Sequence, residues 1–140
     1  MDYDVVVVGA GNAALCAALA ANEAGAKVLV LERAPKAEYG GNSRFSSGSM
    51  RFAYDSGEDI RAVIKDLSDA EWAQLDFGTY PEEAFFDDMF KITSYRTDPE
   101  LCEQLVKGSY GAAKWLAGKG VRFLPRLTHA YKDGDIFKMS

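Results

Sequence analysis

The sequence predicts an α/β fold that begins with a βαβ unit and continues into additional helices. Residues 5–8 and 28–31 are apolar runs without the alternation of a half-exposed strand, a pattern typical of buried parallel strands. Residues 12–24 between them are rich in Ala, Leu and Glu, which favour helices, and Gly25 ends that helix. We therefore expect two adjacent parallel strands joined by a helical crossover.

The turn between the first strand and the helix carries the pattern G-x-G-x-x-A, formed by Gly9, Gly11 and Ala14. The first glycine permits a tight turn, and the second leaves room for a pyrophosphate beside the backbone. A small third residue lets the helix pack closely on the sheet, and the helix N-terminus favours an anion. The pattern is common by chance, so its surroundings decide its meaning.

Glu32 directly follows the second apolar run. A carboxylate at this place can accept hydrogen bonds from both hydroxyls of an adenosine ribose. Strand, glycine turn, helix, second strand and acid together predict a dinucleotide-binding site rather than a purely structural βαβ unit. Because the acid favours a free 2′-hydroxyl, NADP is the least favoured ligand.

A loop rich in Gly and Ser follows at residues 40–51, with the sequence GGNSRFSSGSMR. Loops of this composition are often linkers. This one comes soon after Glu32, and its amides and hydroxyls suit a path along a pyrophosphate towards a flavin ring. A short NAD domain would instead continue into another helix and strand. FAD is therefore the favoured cofactor, and NAD is the weaker alternative.

The stretch VVVVGAGNAALCAALAANEAGAKVLVLERAP, followed by GGNSRFSSGSMR, resembles the N-terminus of the FAD-dependent fumarate reductase/succinate dehydrogenase flavoprotein family. The closest likeness is to its tricarballylate dehydrogenase-like and 3-ketosteroid dehydrogenase-like members. The resemblance is sharp over residues 3–51 and loose beyond. It implies a Rossmann-like FAD-binding domain in an oxidoreductase that acts on a carbon–carbon bond beside a carboxylate or ketone of an organic acid or steroid-like substrate.

Carried over residue by residue, the resemblance implies four groups of FAD contacts. They are the pyrophosphate loop of Gly9, Ala10, Gly11, Asn12, Ala13 and Ala14; the ribose acid Glu32 with Arg33 near the adenine; Gly41, Asn42 and Ser43 against the pyrophosphate and ribityl chain; and Ser47 and Gly48 near the flavin N5 edge. No catalytic residue is assigned, because the catalytic parts of the family lie later in the chain.

Family members run to several hundred residues, so these 140 residues are interpreted as an N-terminal part of the FAD-binding domain that is incomplete relative to the family. We expect this part by itself to catalyse little or no turnover. Its expected parts are a βαβ unit at 3–32, the Gly/Ser loop at 40–51 and a helical segment at 56–120. Residues 115–124 resemble the family's helix-to-strand passage, whereas the closing YKDGDIFKMS shows no strand end. A nucleotide-binding fragment without catalysis is the alternative function.

Three helices are predicted in the helical segment. Their starts are marked by Ser56 with Asp59, by Pro81 before two glutamates, and by Thr97 with Glu100 around Pro99. The second helix has a wide apolar face that we expect in the core, made of Phe85, Phe86, Met89, Phe90 and Ile92. On the third helix, the apolar face is expected at Leu101, Leu105, Ala112 and Leu116. Incomplete cover of strand edges and of the Phe85 face favours self-association.

Composition limits the partners. The net charge of −5 argues against nucleic acid, and no apolar run is long enough for a membrane span. Cys16 and Cys102 lie far apart without a metal-ligand pattern, which favours packed thiols in a cytoplasmic protein and predicts no metal site. His129, the only histidine, is expected to be structural or solvated, and Asp87 and Asp88 are expected on a solvated helix face.

Overall fold

The computed structural model describes residues 2–139 as a mixed α/β chain of two compact units, divided between Met50 and Arg51. Residues 1 and 140, the ends of the expected domain, lie outside the described part. The first unit contains the predicted βαβ arrangement. The second contains four helices and a small three-stranded sheet. Each unit is described by itself.

The first unit consists of strand β1 (Val5–Val8), helix α1 (Asn12–Glu23) and strand β2 (Val28–Leu31), followed by a 3-10 turn at Gly41–Phe45. The strands pair in parallel with Val5 opposite Val28 and Val8 opposite Leu31. Gly25 takes a φ of 89°, which a residue without Cβ adopts most easily, just beyond the end of α1. The prediction of two adjacent parallel strands joined by a helix is confirmed.

The expected burial of both faces of β1 is wrong. Val6 is 53% exposed and Val8 is 83% exposed, whereas Val5 and Val7, which alternate with them, are half-buried. The physical reason is that α1 packs on this two-stranded sheet and a single helix covers one of its faces. The outward face of β1 is therefore apolar and, within the described residues, exposed.

The second unit begins with helices α2 (Gly57–Val63) and α3 (Asp69–Trp72) and continues with α4 (Glu82–Ile92) and α5 (Pro99–Gly118). The predicted start of α2 is confirmed, since the side chains and backbone amides of Ser56 and Asp59 form a reciprocal capping box. Helix α4 starts where predicted, after Pro81. The sequence analysis missed α3, although Ser68 and Glu71 carry the same capping pattern.

Helix α5 starts one residue later than the predicted cap. The N-cap is Asp98, whose Oδ1 accepts a hydrogen bond from the Leu101 amide at 3.0 Å, and Pro99 is the first helical residue. The proposed capping box of Thr97 with Glu100 is therefore wrong. Asp and Thr are both good N-caps, and the fixed φ of proline at the first helical position decides between them.

The core of the second unit lies between α4, α5 and the segment that precedes α2. Phe85, Cys102 and Val106 are buried there with Ala53, and the rings of Phe86 and Phe90 pack against them. The core prediction for the α4 face is thus confirmed at Phe85, but Ile92 is exposed. On α5 the buried residues are Cys102, Val106, Ser109 and Ala113, so the predicted face is wrong by one residue: Leu101 is 65% exposed.

The sheet of the second unit was missed by the sequence analysis. Strands β4 (Ala130–Asp133) and β5 (Ile136–Met139) form an antiparallel hairpin, and β3 (Leu75–Asp76) adds in parallel to β5. Asp133 pairs with Ile136, and Gly134 turns the hairpin with a φ of 61°, so the Gly134-Asp135 pair was the available signal. No strand occurs at residues 121–124, where the resemblance implied one.

Two further side-chain predictions can be compared with the fold. Cys102 is buried as expected, whereas Cys16 is half-buried on α1, and both are free thiols.

Within residues 2–139, every helix is too short or too polar to cross a membrane.

The corrected cap of α5 predicts a difference between two neighbouring alanine variants. We expect Asp98→Ala to lower the free energy of unfolding by about 1 kcal/mol, because the Leu101 amide loses its acceptor. Thr97→Ala is the matched control and should change it by less than about 0.5 kcal/mol. Urea unfolding followed by circular dichroism measures both. A larger loss in Thr97→Ala would restore the cap that the sequence predicted.

Candidate functional site

The candidate site is built around the turn between β1 and α1. Gly9 takes a φ of 109°, which disfavours any side chain, and its amide donates to the Leu31 carbonyl oxygen at 2.6 Å. A Cβ on Gly9 would lie 3.8 Å from the Cβ of Ala14. The tight turn expected of the first glycine, and the closeness expected of the small residue at position 14, are both present.

Gly11 is the N-cap of α1 and has an extended backbone with no side chain to cap the helix. A Cβ built on it would lie 3.4 Å from the carbonyl oxygen of Gly40, and a Cβ on Gly41 would lie 3.9 Å from the Gly11 Cα. The Gly/Ser segment therefore packs directly on the glycine turn. This backbone contact alone leaves little space for a side chain at position 11.

Ser43 connects the same two segments through a hydrogen bond. Its Oγ accepts from the amide of Asn12, the first residue of α1, at 3.0 Å. Ser43 and Asn42 lie in the 3-10 turn at Gly41–Phe45, which begins after Gly40 with a φ of 107°. Ala13 and Ala14 follow in the first turn of α1, where amides have no intrahelical acceptor.

Glu32 holds the turn from the other side. Its Oε2 accepts from the Ala10 amide and its Oε1 from the Ala34 amide, both at 2.8 Å. The Ala34 amide, then the Ala10 amide and the neighbouring Arg33, hold the pKa of the Glu32 carboxyl below its usual range, because they favour the charged form. A carboxylate offers about four acceptor positions, so two remain for other donors such as ribose hydroxyls.

Ser47 and Gly48 form a separate tight turn with φ values of 56° and 68°. The hydrogen bonds around it are local: the Ser46 amide donates to the Ser43 oxygen at 3.2 Å and the Ser49 amide to the Ser46 oxygen at 3.1 Å. A serine in the left-handed region carries backbone strain, whereas the following Gly48 adopts this region without strain.

The structure thus brings together most of the residues that the sequence singled out. The joined group contains Gly9, Ala10, Gly11, Asn12, Ala13, Ala14, Glu32, Gly41, Asn42 and Ser43, with Arg33 next to Glu32. Sequence reasoning placed Gly40 in the Gly/Ser loop without assigning it a contact, and it did not single out Ala34; these residues contact Gly11 and Glu32 through their backbones. The Gly40-Gly41 pair was the available sequence signal for a close backbone approach.

A second polar cluster lies in the unit of residues 51–139. The Asp88 Oδ2 accepts from the Tyr80 hydroxyl at 2.8 Å and forms an ion pair with Arg51, whose guanidinium also donates to the Tyr80 hydroxyl at 2.9 Å. The Tyr80 hydrogen bond, then Arg51, lower the pKa of Asp88. Asp88 therefore ties α4 to the segment before α2 instead of lying on a purely solvated face.

His129 ends a short 3-10 turn and is exposed.

The donors and acceptors of the first unit suit a dinucleotide. Helix amides and a serine hydroxyl are donors for a diphosphate, and a carboxylate after β2 is an acceptor for ribose hydroxyls. Among residues 2–139, no group of three His, Cys, Asp or Glu side chains is arranged to hold a metal ion.

Comparison with known proteins supports this chemistry. The sequence model of the FAD binding domain family matches residues 4–135. Similar curated proteins are the NADH:fumarate oxidoreductase of Klebsiella pneumoniae (strain 342), 33% identical over 119 residues, and the urocanate reductase of Eggerthella lenta, 36% identical over 120 residues. The fumarate reductase (cytochrome) of Shewanella frigidimarina is 30% identical over 117 residues.

These alignments cover 84–85% of this chain but only 11–18% of the relatives, so the chain spans less than a fifth of the length of each.

The Glu32 contacts predict a pH-dependent change in the turn. Because the folded pKa of Glu32 is depressed, its stabilising contribution is complete above the unfolded pKa of about 4.3 and is lost as the pH falls through the folded value. In an NMR titration, the amide protons of Ala10 and Ala34 should shift together as Glu32 takes up its proton. In Glu32→Gln neither amide should titrate in this way. Titration of only one of the two amides in the wild type would contradict the bridge.

Proposed function

The chain belongs to the FAD binding domain family, and on this basis we propose that its first unit is the Rossmann-like FAD-contacting part of a flavin-dependent reductase. The observation that carries the proposal is the meeting of three segments at the α1 N-terminus: the glycine turn, the acid after β2 and the Gly/Ser segment. FAD, when bound, accepts or passes on the hydride of such a reaction.

We assign the residues of this chain to parts of FAD by their chemistry. The free amides of the first turn of α1, at Ala13 and Ala14, and the Ser43 hydroxyl are the proposed donors to the diphosphate. Gly9, Ala10, Gly11 and Asn12 shape the turn. Glu32 is the proposed acceptor for the ribose hydroxyls, with Arg33 beside the adenine.

The Gly/Ser segment is proposed to follow the cofactor away from the adenosine. Gly41 and Asn42 begin the 3-10 turn that Ser43 joins to α1, which supports assigning their backbone to the diphosphate. Ser47 and Gly48 turn the chain sharply with positive φ, and we assign this turn to the flavin edge. We propose the same division of the FAD-binding part that the sequence predicted: a βαβ unit at residues 3–32, the Gly/Ser loop at 40–51 and the helical segment at 56–120.

The reaction of the whole protein is proposed from the chemistry of its relatives. Fumarate and urocanate, for which the three relatives are named, each carry a carbon–carbon double bond conjugated with a carboxylate. We propose a substrate of this kind, an organic acid or a ketone such as a 3-ketosteroid, with the flavin adding or removing hydride at the activated carbon. Tricarballylate, a saturated tricarboxylate that would lose hydride from a carbon beside a carboxylate, is a narrower version of the same proposal.

Titration with FAD tests the proposal. The chain should bind FAD and change the two-band absorbance spectrum of the oxidised flavin. Gly11→Val should weaken the affinity by about tenfold or more, because its methyls would press on the Gly40 carbonyl and fill the space for the diphosphate. The matched control is Gly57→Val, since a Cβ at Gly57 meets nothing within 4 Å.

Equal affinity of the wild type and Gly11→Val for FAD would contradict the assignment of the turn. Tight binding of NADH with no binding of FAD would favour the weaker alternative, an NAD-dependent dehydrogenase domain. FAD binding that never supports turnover in the full-length protein would favour a nucleotide-binding module without catalysis.

A further inference from the structure

Helix α5 carries a second apolar face beside the one that packs in the core. Its members, called the outer face of α5 below, are Leu101, Leu105, Ala112 and Leu116. In the fold Leu101 is 65% exposed and Leu105 is 48% exposed. Ala112 is exposed and Leu116 is half-buried. Single apolar residues on a surface are ordinary, whereas an aligned set of them marks a contact surface.

The spacing of the outer face is the same from either end of the helix. Its members follow one another at four, seven and four residues, which keeps them on one side of α5. The midpoint of α5 falls directly after Gly108, and both the outer two members and the inner two lie equally far from it. If two copies of α5 pair antiparallel about a two-fold axis at this point, Leu101 faces Leu116 of the second copy. Leu105 then faces the second copy's Ala112.

The middle of the outer face leaves room for a second helix. Ala112 is small where the larger Leu105 would meet it, so the two side chains can interdigitate. A Cβ on Gly108, next to the proposed axis, would meet nothing within 4 Å. Helices pack at about 8–10 Å between their axes, depending on the side chains at the contact, so this composition allows a close approach.

The distribution of charge favours an antiparallel second copy as the partner. Asp98 and Glu100 lie at the N-terminal end of α5, whereas Lys114 and Lys119 lie towards and at its C-terminal end. A parallel pair would bring like charges together, but an antiparallel pair brings each acidic end beside a basic end. Asp98 and Lys119 also lie equally far from the midpoint, so they face each other in the same register as the leucines. The helix macrodipoles oppose each other in this arrangement, which adds to the attraction.

We propose that the outer face of α5 is a dimer interface, on which a second copy of this chain binds antiparallel. The dimer does not depend on the FAD binding proposed above. It also differs from the self-association that the sequence predicted around Phe85, because Phe85 is buried in the core. One helix from each copy makes a small contact, so the dimer is weak, with a dissociation constant between about 1 µM and 1 mM.

Analytical ultracentrifugation of the 140-residue chain without FAD measures this constant. The variant Leu101→Gln/Leu105→Gln should raise it by about tenfold or more, because two exposed leucines lose their apolar contact with the second copy. Glutamine favours helices about as well as leucine does, so the fold should be kept, which circular dichroism checks. The matched control is Ile92→Gln, since Ile92 is 82% exposed on α4 and should leave the constant unchanged.

Disulfide cross-linking tests the orientation. Leu105→Cys and Ala112→Cys are each made together with Cys16→Ser, which leaves the buried Cys102 as the other thiol. On mild oxidation, a mixture of the two variants should form a cross-linked heterodimer, because these positions face each other. Leu105→Cys alone should not cross-link, since its two copies would lie about 10 Å apart along the helix axis, too far for a disulfide.

A chain that stays monomeric up to about 1 mM would overturn the interface. A dimer that is unchanged in Leu101→Gln/Leu105→Gln would overturn it as well, because another surface, such as the exposed face at Val6 and Val8, would then make the contact. Cross-linking of Leu105→Cys to itself would overturn the antiparallel arrangement. FAD binding is measured separately, so a failure of the proposed function leaves these outcomes unaffected.

Discussion

The first unit depends on one constraint: the backbone amides at the turn from β1 into α1 need acceptors that the turn itself does not contain. Each of three amides finds its acceptor in a residue later in the chain. The Gly9 amide uses the Leu31 carbonyl of β2, the Ala10 amide uses the Glu32 carboxylate, and the Asn12 amide uses the Ser43 hydroxyl. The order of these acceptors along the chain follows the order of the donors, so satisfying the turn also places β2, the acid and the Gly/Ser segment around one helix end.

Each of the two units is stabilised by a different kind of interaction within itself. All fully buried residues of the described chain lie in the second unit, where Val63, Phe85, Val106 and Ala113 exclude water between helices. The first unit has none, and one face of its sheet is open at Val6 and Val8. Its order rests on strand pairing and on hydrogen bonds to the turn. This suits a binding site, because polar groups that are fixed by the backbone need little reorganisation when they meet a ligand.

Sequence patterns predicted what depends on neighbouring residues. The two strands, α1 and the start of α2 follow from local composition and caps, and all of them are present. Features that depend on tertiary contacts were harder to predict from the sequence. The buried face of α5 contains Cys102 and Val106 instead of the predicted Leu101 and Leu105, because packing against α4 selects the face. Sequence singled out Ser43 and Glu32 as ligand contacts, but their bonds to Asn12 and Ala10 join residues 31 and 22 apart, which no local pattern encodes. The Gly134-Asp135 hairpin turn was a local signal that went unused.

The pairing of β3 with β5 has a consequence for how the chain folds during its synthesis. Leu75 pairs with Phe137, so the sheet of the second unit closes around a segment that contains both α4 and α5. Pairing between such distant residues must overcome a large loss of chain entropy and is slow to form. The first unit needs no residue beyond Met50 for its own compact contacts. On a ribosome, where the N-terminal part emerges first, all three acceptors of the glycine turn are synthesised well before the strand that completes the sheet of the second unit.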